Sequence, residues 1–184
     1  MGKETVRFRC HHCKHCCTEV VCLPTPWDVI RIAKATGKHP RRFIEFLDPD
    51  EITGVKKSDP TWLECEDGRY IMAVYRGKKG CYFFDKKTRL CTIYDVRPLL
   101  CRLYPFNLHE TKKGKFKSFT LHKSKDVDCP RHKYGKVKTK PLYKLYQQDC
   151  EHQEDYERLV RAFNKKKRKG KRPQDFLKMF VEER

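Results

Sequence analysis

The sequence contains no long hydrophobic run. No stretch approaches the roughly 20 apolar residues that a membrane-spanning helix requires. The residues from Met1 to Arg9 are mostly polar, so we expect neither a membrane anchor nor an export leader. There is also no G-x-y period, sustained heptad or self-similar segment, which excludes collagen, coiled coils and repeat arrays. The 184 residues, 38% of them hydrophobic, suit one small globular domain.

Common catalytic and nucleotide-binding motifs are also missing. The chain has no G-x4-G-K-[ST], no G-x-G-x-x-G and no G-x-S-x-G. The C-x3-C-x2-C spacing of radical SAM enzymes is absent as well. These absences leave no catalytic residue that can be assigned from the sequence.

Cysteine, by contrast, is abundant, with 11 residues. Because no export leader is expected, we predict a cytoplasmic protein, in which thiols stay reduced. Clustered cysteines in such a protein bind metal or react more often than they form disulfides. The odd number of cysteines also fits a disulfide framework poorly.

The densest cysteine group lies near the start of the chain. Cys10, Cys13 and Cys16 follow the C-x2-C-x2-C spacing, and Cys17 is adjacent to the last of them. Bacterial ferredoxins hold a cubane cluster with three such cysteines and a remote one that is often followed by proline, as Cys129 is here. Zinc accepts the same thiolates, so both metals stay open, with [4Fe–4S] favoured.

A second group has three cysteines spaced ten residues apart. Together the two groups and the late cysteine supply eight candidate ligands, enough for two four-ligand sites or for one cluster with accessory thiols. The eight candidates are Cys10, Cys13, Cys16, Cys17, Cys81, Cys91, Cys101 and Cys129. Cys22 is undecided, and the isolated Cys65 and Cys150 are more simply interpreted as small buried hydrophobes.

These motifs resemble the YkgJ-type cysteine-cluster family, which is described as zinc- or iron-chelating. The shared residues are the C-x2-C-x2-C-C motif of 10–17 and the block of 81–106, with its two cysteines ten apart followed by I-Y-x-x-R-P-x-x-C-R-x-x-P-F. The resemblance spans roughly residues 8–131 and implies metal or iron–sulfur binding through the eight cysteines. The chain departs from the family at Lys14-His15, where relatives often carry a glycine. A flagellin lysine N-methylase with a similar cluster is much longer, so a methylation-like enzyme is the weaker alternative.

Three further residues of the second block are candidates to lie beside the metal ligands. Arg97 and Arg102 could stabilise thiolates, and Tyr94 belongs to the same motif. Pro98 suits the start of a helical turn that presents Cys101. The alternative is that these residues only support the fold.

The charge balance is strongly basic, with 43 Lys and Arg against 24 Asp and Glu, a formal net charge of +19. Seven of the cations fall within eight positions near the end of the chain: Lys165, Lys166, Lys167, Arg168, Lys169, Lys171 and Arg172. Such a run suits phosphate contacts with RNA, the ribosome or another acidic partner. It is equally typical of a solvated linker.

The pattern of elements predicts an α+β fold, a small metal-stabilised domain with short strands and hairpins, cysteine-rich loops and C-terminal helices. We expect a metal-binding domain over 1–140 and a basic helical extension over 141–184, packed on or tethered to it. A helix should begin at Thr25 and end at Gly37, and a second, short helix should run over Pro40 to Leu47.

Overall fold

The computed structural model describes residues 4–10, 14–78, 80–122 and 134–181. The described residues form a mixed α+β structure, as predicted. The α-helices are α1 (His15–Thr18), α2 (Pro26–Thr36), α3 (Leu99–Leu103) and α4 (Thr139–Asn164). Short 3-10 segments cover Pro40–Arg42, Tyr94–Val96 and Pro173–Met179.

The strands are short and form several small antiparallel sheets. In chain order they are β1 (Thr5–Val6), β2 (Ile44–Leu47), β3 (Leu63–Glu64), β4 (Arg69–Val74), β5 (Arg76–Gly77), β6 (Gly80–Cys81), β7 (Phe84–Asp85), β8 (Leu90–Cys91), β9 (Phe106–Glu110), β10 (Phe116–Leu121) and β11 (Val137–Lys138). Strand β4 is central to a three-stranded sheet of order β2-β4-β3, and the other strands pair as β1-β11, β5-β6, β7-β8 and β9-β10.

Helix α2 begins and ends where the sequence predicts. The Thr25 hydroxyl accepts the backbone N–H of Asp28, whose carboxylate accepts the N–H of Thr25 in return, and Pro26 occupies the first helical turn. Gly37 ends the helix in the left-handed conformation, with φ of 65°. This reciprocal capping box satisfies N–H groups that would otherwise be unpaired at a buried helix end.

The short helix predicted over Pro40 to Leu47 is wrong. Only Pro40–Arg42 is helical, as one 3-10 turn, and Ile44–Leu47 is strand β2. Ile44 pairs with Val74 and Leu47 with Ile71 across β4. The segment has four apolar residues besides its proline, Phe43, Ile44, Phe46 and Leu47, and such a short pattern fits a helix or a strand, so the pairing with β4 decides between them.

One main core joins the cysteine-rich part of the chain to its C-terminal helices. Val29 and Ile32 of α2 are fully buried against Val160 of α4 and the aromatic pair Phe163 and Phe176. The rings of that pair meet edge to face, with centroids 5.5 Å apart. Residues on both sides of position 140 therefore bury apolar surface in the same cluster. Such burial is the dominant favourable contribution to folding.

Among the described residues, no helix is both long enough and apolar enough to cross a membrane.

Candidate metal centre

Seven of the cysteines that the structure describes line one cavity. They come from separate segments of the chain: the N-terminal loop, α1, the segment before α2, β6, β8 and α3. They are Cys10, Cys16, Cys17, Cys22, Cys81, Cys91 and Cys101. Apolar side chains of the main core, including Val74, Phe83 and Ile93, form the floor of the cavity. The fold therefore gathers thiols that are up to 91 positions apart in the sequence.

Helix α1 supplies two adjacent thiols through an unusual local conformation. Lys14, immediately before the helix, is in the left-handed region with φ of 66°. Its carbonyl accepts the N–H groups of Cys17, at 2.7 Å, and Thr18, at 2.9 Å. The Sγ atoms of Cys16 and Cys17 are 3.9 Å apart and both line the cavity. The guanidinium of Arg76 donates to the carbonyls of Thr18 and Glu19 and so fastens this helix to strand β5.

Strand β6 brings Cys81 against α1 because Gly80 lets the two backbones approach. A Cβ at Gly80 would lie 2.7 Å from the carbonyl oxygen of Cys17 and 3.3 Å from the Cα of Thr18. The φ of Gly80, +109°, is also one that other residues rarely adopt. This glycine therefore fixes how close Cys81 comes to Cys17.

Two short elements present the other thiols of the second block. Strand β8 places Cys91 opposite Phe84, and the next residue, Thr92, donates its N–H to the carbonyl of Phe83. Helix α3 begins after Pro98, as predicted, and carries Cys101. The ten-residue spacing thus corresponds to one small hairpin and one helical turn, each contributing one thiol.

Cys22, which the sequence left undecided, lies beside Cys101, with the two Sγ atoms 3.3 Å apart. It belongs to no C-x2-C spacing, so no motif marks it. The local cue is that it stands three residues before the cap of α2, in a segment held to β4 by the hydrogen bond from Val74 N–H to the Cys22 carbonyl, 2.9 Å.

Four cations face the same cavity: Lys14, Arg76, Arg89 and Arg97. The guanidinium of Arg97 stacks 3.8 Å above the centre of the Tyr94 ring. A hydrogen bond from the thiol of Cys17 and the nearby charge of Arg97 outweigh burial and lower the pKa of Cys16 to about 7. This thiol therefore ionises more readily than an ordinary cysteine even without metal.

Three other thiols of the cavity, Cys17, Cys81 and Cys91, have raised pKa values, which favours their protonated form. The hydrogen bond to Cys16 raises the pKa of Cys17, and burial does so to a lesser degree. Burial raises the pKa of Cys81 to about 11 and also raises that of Cys91. Neighbouring buried thiols oppose each other's ionisation, and a bound metal cation supplies the positive charge that reverses this.

The donor set therefore fits a thiolate-bound metal. As the side chains stand, no group of three or more described His, Cys, Asp or Glu residues is close enough to hold an ion. Binding would draw the thiols together and release their protons.

The other predicted site residues are distributed as follows. Tyr94 and Arg97 line the cavity, and Arg102 lies on α3 with its N–H bonded to the Pro98 carbonyl. Cys13 and Cys129 fall outside the described residues.

Of the two isolated cysteines, Cys65 is fully buried in the main core, as expected. Cys150 is exposed on α4, so its interpretation as a buried hydrophobe is wrong.

The basic run follows the end of α4 and is partly engaged within the molecule. Lys171 is only 7% exposed, and its ammonium donates to the carbonyls of Phe163 and Lys166, both at 3.1 Å. Arg168 pairs with Glu64, and Arg172 lies 3.8 Å from Asp175. The other four cations of this run are exposed, and the described residues offer their side chains no comparable partner: Lys165, Lys166, Lys167 and Lys169.

A cavity lined by this many cysteines is typical of metal-chelating proteins. Comparison with known families identifies the family. Residues 9–130 match the CxxCxxCC family, described as "Putative zinc- or iron-chelating domain", and the chain belongs to this family. It is also similar to an uncharacterized protein of Methanocaldococcus jannaschii, MJ0661, with 54% identity over 35 residues. That match covers 19% of each chain. No solved structure matches the chain significantly.

Proposed function

We propose that this protein binds an iron–sulfur cluster, of the [4Fe–4S] type, through its cysteine cavity. The observation that carries the proposal is the gathering of seven described thiols around one cavity that also has four cationic side chains. Cys13 and Cys129 are included among the proposed ligands on their sequence spacing alone.

The spacing of the cysteines favours a cluster over zinc. The C-x2-C-x2-C motif followed by a later Cys-Pro has the ligand spacing of ferredoxins. A structural zinc ion and a [4Fe–4S] cluster both take four thiolates, so the seven thiols of the cavity exceed what either centre alone needs. When bound, such a cluster supplies one-electron redox chemistry or a source of iron and sulfide, and it also stabilises the fold around it.

On this proposal, the cations of the cavity balance the negative charge of the bound cluster. Thiolate ligands leave a cluster negatively charged, and Arg97 and Lys14 lie where they offset that charge. Hydrogen bonds and positive charge near cluster sulfurs raise the reduction potential. The guanidinium of Arg97 is held in place by stacking on the ring of Tyr94.

The test is analysis of iron, acid-labile sulfide and zinc, with an absorption spectrum, on the full chain purified without oxygen. We expect a brown protein with iron and sulfide in equal amounts. Cys81→Ser and Cys91→Ser should each lose most of the iron, because a thiolate is replaced by a poor ligand for it. Cys150→Ser is the matched control, since this thiol is exposed on α4, and it should keep the full content.

The outcomes separate the parts of the proposal. A colourless protein with stoichiometric zinc would overturn the cluster and leave thiolate zinc binding as the function. Metal content that is unchanged in both cavity variants would overturn the site. Reversible bleaching by dithionite would support a redox role, whereas transfer of iron to an acceptor protein would support delivery.

A second function, contact with RNA or the ribosome, is favoured by the exposed Lys165, Lys166, Lys167 and Lys169. These lysines cluster where α4 ends, and within the described parts of the chain no carboxylate forms an ion pair with them. Such a cluster binds phosphates independently of sequence. This function is compatible with the metal centre, and both suit a cytoplasmic protein, where the thiols stay reduced.

A further inference from the structure

We propose that Cys22 is an additional sulfur ligand of the cavity and that it binds one metal ion as a pair with Cys101. This inference deepens the proposed function and rests on its thiolate binding of metal. Each iron of a [4Fe–4S] cluster takes one cysteine thiolate, so the ion shared by this pair is a second centre beside the cluster, for which the remaining thiols of the cavity are available. Cys22 belongs to neither cysteine motif, and its assignment comes from its position in the fold.

The first argument is proximity. The Sγ atoms of Cys22 and Cys101 are 3.3 Å apart, and both side chains line the cavity. Two thiolates bound to one zinc or iron lie at about 2.3 Å from it, and the tetrahedral angle between the two bonds places their sulfurs roughly 3.5 to 4 Å apart. The pair is therefore already near the separation that shared binding needs.

The second argument is that one buried carboxylate holds the two backbone segments that carry these thiols. Asp28, only 1% exposed, accepts the N–H of Thr25 at 3.0 Å, three residues after Cys22. It also accepts the N–H of Leu99 at 3.1 Å, two residues before Cys101. Its remaining partner, Arg31, donates in turn to the carbonyl of Arg97 at 2.8 Å. The segment of each thiol is thus tied to the same anchor, which is the preorganisation that a ligand pair requires.

The third argument is the contrast with Cys65. That thiol is also buried, at 0% exposure, but it lies in the main core and not at the cavity. Cys65 shows what a cysteine used only for packing looks like in this protein. Cys22 differs because its sulfur faces other thiols. On binding, each thiol of the pair gives a proton to solvent and donates an electron pair to the metal.

The experiment titrates cobalt(II), whose bonds to thiolates absorb in the near ultraviolet, into the reduced, metal-free full chain. Cys22→Val keeps an apolar side chain of similar size and removes the sulfur, and Cys65→Val is the matched buried control. For Cys22→Val we expect a weaker charge-transfer band at saturation and a dissociation constant at least tenfold higher. Cys65→Val should retain the band and affinity of the wild type.

A double variant distinguishes a ligand from a packing residue. If Cys22 and Cys101 bind one ion, Cys22→Val should weaken cobalt binding less in a Cys101→Val background than in the wild type, because the effects of coupled residues are not additive. Additive losses would overturn the pairing, and a Cys22→Val band and affinity equal to those of the wild type would overturn the ligand itself.

Two further results keep the outcome unambiguous. Circular dichroism of the metal-free variants establishes folding, and if Cys22→Val is unfolded, Cys22→Ser takes its place with the same expectations. If the wild type binds no cobalt, iron or zinc, the proposed function fails. If the wild type binds and only Cys22→Val is unaffected, the inference on Cys22 fails alone.

Discussion

At the scale of single residues, Lys14 stands in a conformation that its side chain disfavours. It is one of two described non-glycine residues with positive φ, the other being Arg89, and both line the cavity. The left-handed region costs a residue with a Cβ about 1–2 kcal/mol. The family resemblance implies a glycine near this position in relatives, and the positive φ of Lys14 is one that glycine adopts without cost.

Replacing Lys14 by glycine should therefore stabilise the protein. We expect Lys14→Gly to raise the free energy of unfolding by about 0.5–1 kcal/mol, the relief of the left-handed cost less the extra entropy of a glycine in the unfolded chain. Urea unfolding of the metal-free chain measures it. Lys14→Ala is the control, since it removes the same charge but keeps the Cβ. Equal stability of the two variants would contradict the argument from φ.

The residue scale also shows where sequence reasoning ends. The capping residues of α2, Thr25, Asp28 and Gly37, could be predicted because each acts through the backbone within four positions. Cys22 could not be assigned, since its partner Cys101 is 79 positions away and no spacing rule links them. The hydrogen bond from the Leu99 N–H to the Asp28 carboxylate likewise depends on the tertiary structure.

At the scale of elements, the contact of β6 with α1 decides how the two cysteine blocks meet. Gly80→Ala should disrupt it, because the new Cβ would lie 2.7 Å from the Cys17 carbonyl. We expect a loss of about 2–3 kcal/mol in unfolding free energy, combining the strained φ and the clash, and a lower metal content per chain. Thermal unfolding and metal analysis measure the two effects.

Gly114→Ala provides the comparison for that variant. Gly114 also has a positive φ, +69°, but a Cβ there would meet nothing within 4 Å. It should cost only the backbone strain and leave the metal content unchanged. A Gly80→Ala protein no less stable than Gly114→Ala, and with full metal, would show that the close approach of β6 to α1 is unimportant.

The elements also differ in how far the sequence determines them. The helical character of α4 was predicted as part of the extension over 141–184, because a 3.6-residue period is a local signal. The segment Pro40 to Leu47 was not, since its strand exists only through pairing with β4. The strands of the small cysteine hairpins have only two residues each, which is too short to show a period, and their pairing places Cys81 and Cys91 at the cavity.

At the scale of the whole molecule, the basic charge is less available than the composition suggests. Three of the seven cations in the run are engaged internally: Arg168, Lys171 and Arg172. Counting the whole run would therefore overstate its phosphate contacts. The burial of Lys171 against Phe163 also shows that the run is folded onto the end of α4 and is not a free linker.

If RNA binding uses this surface, its salt dependence should report four contacts. Replacing Lys165, Lys166, Lys167 and Lys169 together by glutamine should reduce the slope of log affinity against log salt by about 3, at about 0.7 per phosphate for a single strand. Fluorescence anisotropy with a labelled oligouridylate measures it. Lys112→Gln with Lys113→Gln, at the tip of the β9-β10 hairpin, is the control. A slope unaffected by the fourfold change would remove the RNA interface.

The division of the chain at residue 140 stays a prediction. The family match ends at residue 130, yet α4 and the segment Pro173–Met179 complete the main core beyond it. The sequence could not reveal this, because the apolar face of α4 does not say which surface it covers. The full chain is therefore the natural unit for the experiments above.

Cys22, Cys81 and Cys91 pack directly against the main core while facing the cavity. On the proposed function, the atoms that hold metal are thus in van der Waals contact with the atoms that hold α2 and α4 together. Loss of the metal would weaken the packing of the main core beside the cavity, and proteases cleave such locally opened forms. The lifetime of the protein in the cell would then follow the supply of metal, with the unloaded chain being the one that is degraded first.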